Sequence, residues 1–381
     1  MDRRIVVVEP GGAVALLEEQ GDGWSRVVLA AEGRWPAWSP TAGRVAFSVV
    51  KLEGDELRSS IETRDVAGAD TGQAHLTPRG VPPVIAPRVP HYVCWSPDGQ
   101  TLSFVAAAPG GLTLFLSDAG GAFSSDAVVS GAPLFPSWAP AGDWLAVHSG
   151  TELVLYEPAT RVSRTVTEQA LGFRTPAWVE RTVYFCRPAA EGVTVEAHAV
   201  DSRSESTLLT VPGGAALAAR PGSADLSVAV SNEPDSGIFD SLLLVDTSVP
   251  GSRPRKIARG PFVAAFWAPS GEKVAIVVPT QIGDGRYAIH VRDAEGRPIC
   301  ASEGFYPGQD YRTLLGFFDQ YALSHRLWSP GSDAFLSWGR AAGDGVASSF
   351  SDRVDDAVFL HPAAPGRPAE RLCRADAAFF A

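Results

Sequence analysis

Trp95-Ser96-Pro97-Asp98-Gly99, followed by Leu102-Ser103-Phe104, is the stretch on which the fold is read: an aromatic residue, a tight Pro-Asp-Gly turn, and a second apolar run. Proline ends the first strand where its missing N–H costs no ladder bond, and it pre-sets φ for the turn. Asp-Gly then supplies the positive φ that a short hairpin favours. The same pattern recurs as Trp38-Ser39-Pro40 before Val45-Ala46-Phe47 and as Trp138-Ala139-Pro140 before Trp144-Leu145-Ala146-Val147. It recurs again as Trp267-Ala268-Pro269 before Val274-Ala275-Ile276 and as Trp328-Ser329-Pro330 before Phe335-Leu336. Trp178-Val179-Glu180 lacks the proline, and Ala219-Arg220-Pro221 lacks the tryptophan.

The seven anchors at 38, 95, 138, 178, 219, 267 and 328 are separated by 57, 43, 40, 41, 48 and 61 residues. A period of roughly 40–50 residues is that of a four-stranded propeller blade. Apolar runs last four to six residues and end in Gly, Pro, Asp or Asn, which opposes a helical repeat. The expected fold is all-β, a closed β-propeller forming one domain over residues 1–381. Ile5–Val8, Ala13–Leu17 and Arg26–Leu29 read as the second, third and fourth strands of a blade without a first strand. The apolar tail 377–381 is expected to supply it by pairing with the N-terminal strands 5–29, so that the termini share the closing blade. This gives eight four-stranded blades, with a seven-bladed ring as the alternative. Each motif tryptophan is expected to wedge between blades, worth about 4–6 kcal/mol as an upper bound.

The Trp-Ser-Pro-Asp-Gly…Leu-Ser-Phe signature resembles the WD40-like, TolB-type propeller repeat of bacteria over nearly the whole chain. Residues 317–330, Phe317-Phe318-Asp319-Gln320-Tyr321-Ala322-Leu323-Ser324-His325-Arg326-Leu327-Trp328-Ser329-Pro330, are similar to a segment of TolB-like proteins. The resemblance implies the repeat class; such propellers serve as partner platforms, ligand binders and enzyme domains alike. Two departures from TolB are read here, no secretory signal and no separate N-terminal domain, so a periplasmic role is not carried over.

The net charge of −11 and the absence of any Lys/Arg-rich run argue against nucleic acid as a partner. No stretch approaches the roughly 18 apolar residues that span a membrane, so no membrane insertion is expected. The opening Ile5–Val8 run meets Glu9 and Pro10 too soon for a secretory signal. Cys94, Cys186, Cys300 and Cys373 lie far apart without a CxxC pair, and the expected location is cytoplasmic.

The turns within the motifs are short, and length variation falls elsewhere. Residues 50–58, 231–241, 279–287 and 340–356 read as loops between second and third strands, and 77–91 and 302–324 as loops between blades. All six are expected on one rim, over the channel mouth, where composite pockets form. The candidate ligand-binding residues there are Arg88, His91, Tyr92, Arg174, Asp319, Gln320, Tyr321, Ser324 and His325. A Ser324–His325 pair is not expected, because neighbours on a strand point to opposite faces. No Gly-x-Ser-x-Gly elbow, zinc spacing, EF-hand loop or P-loop occurs, so no catalytic residue, metal or cofactor is assigned. Asp352, Asp355 and Asp356 read as a solvated acidic run. The leading expectation is a non-catalytic module binding a protein, peptide or small-molecule ligand at the loop-rich face. The alternative is a lyase or hydrolase with a composite His/Arg/Tyr/Asp site at the channel mouth.

Overall fold

The repeat motif explains the local structure. In the computed structural model the Ser39, Ser96 and Ser329 hydroxyls accept the N–H groups of Arg44, Thr101 and Ala334, at 3.1, 2.9 and 3.0 Å. Each serine thus staples the start of the second strand across the turn, while Gly99 supplies a φ of 70°. The structure describes residues 3–21, 23–53, 56–66, 74–76, 92–108, 111–119, 126–171, 173–234, 236–281, 283–344 and 356–381.

Strands β1 (Arg4–Val8), β2 (Val14–Gln20) and β3 (Gly23–Ala30) open the chain. A second sheet holds β4 (Arg34–Trp38), β5 (Arg44–Glu53), β6 (Glu56–Asp65) and β7 (Ala74–Leu76). A third holds β8 (Cys94–Trp95), β9 (Thr101–Ala108), β10 (Gly111–Asp118) and β11 (Asp126–Ser130). Next come β12 (Leu134–Trp138), β13 (Leu145–Ser149), β14 (Glu152–Glu157) and β15 (Val162–Thr167). The fifth sheet is β16 (Ala177–Val179), β17 (Thr182–Ala189), β18 (Gly192–Ala199) and β19 (Glu205–Val211). The sixth is β20 (Gly214–Ala219), β21 (Asp225–Ser231), β22 (Phe239–Asp246) and β23 (Arg255–Phe262). Within each sheet, consecutive strands pair antiparallel, as the repeat predicts.

The remaining strands form one eight-stranded sheet. It contains β24 (Ala264–Trp267), β25 (Lys273–Pro279), β26 (Tyr287–Asp293), β27 (Pro298–Ala301) and β28 (Phe305–Pro307). Helices α1 (Gln309–Gly316) and α2 (Phe318–Tyr321) follow, then β29 (Ala334–Ala341), β30 (Ala357–Pro362) and β31 (Glu370–Arg374). β28 pairs with both β26 and β29 and so joins the two halves. The last strand, β32 (Ala377–Phe380), lies beside β1, with Ile5 opposite Phe380 and Val8 opposite Ala377.

Six motif tryptophans each reach back to a strand of the preceding repeat; the Ala219 motif has none. Nε1 of Trp95, Trp178 and Trp328 donates to the Ala37, Ser137 and Phe266 carbonyls at 3.0, 3.0 and 2.9 Å. Trp38 donates to the Phe379 carbonyl on β32 at 3.1 Å. Trp138 and Trp267 reach the Ser103 and Ser227 hydroxyls at 3.1 and 3.0 Å.

Two expectations need correction. Residues 50–53 and 56–58 continue β5 and β6 as a long hairpin rather than a loop. Residues 302–324 are not an open rim loop: they contain β28, α1 and α2, and α2 is buried along its whole length. The helices arise because Tyr311, Leu314, Leu315, Phe318 and Tyr321 recur at helical spacing and find an apolar surface to cover. The loop at 77–91, with Arg88 and His91, lies outside the described residues, as does most of the loop at 340–356.

Candidate functional site

α2 packs against β12, β20 and β24, so the helical insertion sits where motif strands of several sheets converge. The position three residues before each motif anchor faces it: Trp35, Tyr92, Phe135, Thr175, Ala216, Ala264 and His325. Tyr321 stacks on Trp35 with ring centroids 4.8 Å apart and also meets Tyr92 and His325, at 5.7 and 5.3 Å. Phe317 touches Tyr92 and Phe135. Ala216 and Ala264, the small members, share the core that holds Phe318. Trp35 and Tyr92 hold φ values of 49° and 44°, a left-handed conformation rare for aromatic residues. A register shift in β4 between Arg34 and Ala37 accompanies the first of these.

The polar residues of α2 are satisfied from the surrounding strands. Asp319 Oδ2 accepts the Thr175 N–H at 3.0 Å, and Oδ1 lies 3.8 Å from Arg174 Nη1. Gln320 Oε1 accepts the Thr175 hydroxyl at 3.1 Å, while its Nε2 donates to the Pro136 carbonyl at 3.2 Å. Burial raises the Asp319 pKa above the usual carboxylate value, against the opposing pull of Arg174 and the Thr175 N–H. Burial, helped by Asp319, pushes Tyr92 up to about 12. The Tyr321 hydroxyl is buried and meets no hydrogen-bond partner among the described residues.

Ser324 and His325 do pair, contrary to expectation, because they lie in a turn after α2 and not on a strand. Trp35 O, 3.4 Å from Nε2, can only accept, so Nε2 carries the proton and Nδ1 accepts the Ser324 hydroxyl at 2.7 Å. His325 is 2% exposed, and burial pushes its pKa down to about 4.

Of the nine candidates, Tyr92, Arg174, Asp319, Gln320, Tyr321 and His325 thus gather around one short helix, with Ser324 at its end. Most are buried in packing rather than lining an open mouth. Sequence reasoning missed Trp35, Phe135, Thr175 and His148. The first three share the fixed offset from the motif, a periodic signal available in the sequence. His148 is 3% exposed, and its Nδ1 and Nε2 lie 2.7 and 3.1 Å from the Arg174 and Gly150 carbonyls. Burial lowers its pKa although both carbonyls favour the cation.

Arg174 also reaches a pocket of about 280 Å³ bounded by Leu171, Val193, Gly214, Ser231, Pro234 and Phe239. A larger cleft, about 640 Å³, lies between the halves of the eight-stranded sheet, lined by Phe305, Phe359, His361 and Cys300 among others. Its His361 is hydrogen-bonded to the buried Ser337 hydroxyl at 2.7 Å. Among the described residues, no group of three or more His, Cys, Asp or Glu is placed to hold a metal ion. Among the described residues, no helix is long and apolar enough to cross a membrane.

No family model matches the chain. No curated protein matches it in sequence either. Solved structures do. The β-propeller domain of the trilobed protease from Pyrococcus furiosus is 12% identical, with a TM-score of 0.52 over 91% of this chain and 98% of that one. Oligogalacturonate lyase from Vibrio parahaemolyticus is 14% identical, with a TM-score of 0.53 over 86% and 84%. TolB from Acinetobacter baumannii is 13% identical, with a TM-score of 0.41 over 89% and 83%. The chain has the fold of a β-propeller built from antiparallel four-stranded units. At 12–14% identity the likenesses extend to the fold alone.

Proposed function

We propose that the protein is a non-catalytic binding propeller, one domain of eight four-stranded blades in a closed ring, whose loop-rich face takes up a protein, peptide or small-molecule ligand. The observation that carries the non-catalytic reading is the state of the convergent polar residues. Asp319, Gln320 and His325 are buried, and each is already engaged with groups of the protein. General acid–base chemistry needs such groups within reach of a substrate proton. The eight-bladed ring draws support from the indole bonds that tie six of the seven motifs to the preceding repeat and from the β1–β32 pairing. The eight-stranded sheet then counts as two blades bridged by β28. All four cysteines are free, which suits a reducing compartment such as the cytoplasm.

The hydrolase alternative draws on one observation, the Ser324–His325 hydrogen bond. A panel of organic acids, peptides and oligosaccharides, followed by thermal shift and by mass of the recovered compounds, separates the readings. The binding reading expects stabilising compounds to be recovered intact. A compound consumed by the wild-type protein but spared by Ser324→Ala would overturn it.

A further inference from the structure

We propose that the pocket beside Arg174 is a carboxylate-binding site, taking the anionic end of a small organic acid or the C-terminal carboxylate of a peptide. The proposal rests on the binding reading above and names the chemistry of one subsite.

Arg174 is the one charged residue lining this pocket among the described residues. Its carrier is fixed from several sides. The Arg174 carbonyl accepts a hydrogen bond from His148 Nδ1 at 2.7 Å, and the adjoining Thr175 N–H binds Asp319. The guanidinium lies over the Phe239 ring, 5.4 Å from its centroid. Its nearest described anion, Asp319 Oδ1, is 3.8 Å away, beyond hydrogen-bond length, and among the described residues the Arg174 side chain donates no hydrogen bond. A cation is therefore aimed and held while its fork of donors stays uncommitted. That fork matches the two oxygens of a carboxylate.

The pocket wall is preformed. The Ser231 and Ser236 hydroxyl oxygens lie 2.8 Å apart, and each can instead donate to a carbonyl, Glu233 at 2.7 Å and Ile238 at 2.9 Å, so their two protons hold this side of the pocket with two of the three bonds at a time. Leu171, Val193, Pro234 and Phe239 offer apolar surface to a carbon skeleton. The volume lies near the small end of the ~300–1,000 Å³ typical of ligand sites. Asp319 close behind Arg174 disfavours a dianion, which selects a singly charged carboxylate over a phosphate.

The test is calorimetric titration of the full chain with benzoate, and with N-acetyl-Ala-Phe as free acid and as amide. Arg174→Gln removes the cation. Because it also strips Asp319 of its counter-ion and can cost stability, Gly214→Val serves as the second variant. A Cβ at 214 meets only Ser231 Cβ, at 4.0 Å, so the branch point enters without a backbone clash, and the γ-methyls are added to narrow the pocket. We expect saturable binding of benzoate, weakened about ten-fold or more by each variant. Binding of the peptide acid but not the amide identifies a chain terminus as a source, and benzoate alone points to small acids. No saturable binding of either acid at millimolar concentration, or binding that both variants leave unchanged, overturns the proposal. A consumed compound in the earlier assay alongside Arg174-dependent benzoate binding would refute the non-catalytic reading and leave this site standing.

Discussion

Tyr321 shows how a single side chain serves packing at the expense of its own polar atom. Its ring is fully buried between Trp35, Tyr92 and His325, yet its hydroxyl has no partner among the described residues. An unsatisfied buried hydroxyl costs about 1–3 kcal/mol. Tyr321→Phe is therefore expected to match or exceed wild-type stability by about 1 kcal/mol in urea unfolding; a loss of that size would show that the hydroxyl is satisfied. His325 has the opposite role. Its folded pKa of about 4 lies below the ordinary 6.5, so the folded state binds fewer protons than the unfolded one. The stability this gives is present above pH 6.5 and is lost as pH falls toward 4, on the order of 3 kcal/mol. His361, also pushed down to about 4, adds a second loss in the same window. Unfolding at pH 7.5 and pH 4.5 should show a smaller acid loss in His325→Gln than in wild type, and equal losses would contradict the assignment.

At the level of elements, α1 and α2 form an apolar wedge that the motif strands close around. Replacing residues 309–323 with a short Gly-Ser linker would uncover Trp35, Phe135 and Phe239 together. The expected result is a lower melting temperature and strong binding of a hydrophobic dye; an unchanged melting temperature would mean that the wedge is not part of the core. The strands are legible in the sequence because Pro and Gly punctuate them and because a Trp anchors six of the seven repeats. α1 and α2 are not, because two short stretches of helical spacing, eight and four residues long, between two strand signals look like an insertion. The polar run Asp319-Gln320 reinforced that reading, since burial of such residues depends on partners, here Thr175 and Pro136, that lie over 140 positions away. The Ser324–His325 pair escapes the sequence pattern for a related reason: the residues before the motif look like a strand, but the chain turns there. Seven of the nine candidate residues nevertheless come together around α2, because that insertion leads into a motif strand.

For the molecule as a whole, the pairing of β32 with β1 covers an edge that is almost wholly apolar, Ile5–Val8 being 6% exposed or less. Truncation after Asp376 would bare that edge and remove the carbonyl that receives the Trp38 indole. We expect a lower melting temperature and concentration-dependent self-association by light scattering, as for other unprotected sheet edges. A truncated chain that stays monomeric and melts like wild type would show the tail strand to be dispensable. Ile5 faces Phe380 and the Arg4 carbonyl accepts the Ala381 N–H, so both ends of the chain leave this ladder on the same side. Tension applied between the two ends therefore peels the rungs apart one at a time, beginning at Phe380, and never shears them all together. In a single-molecule pulling experiment, the strand that guards against heat should be the first to give way, at low force.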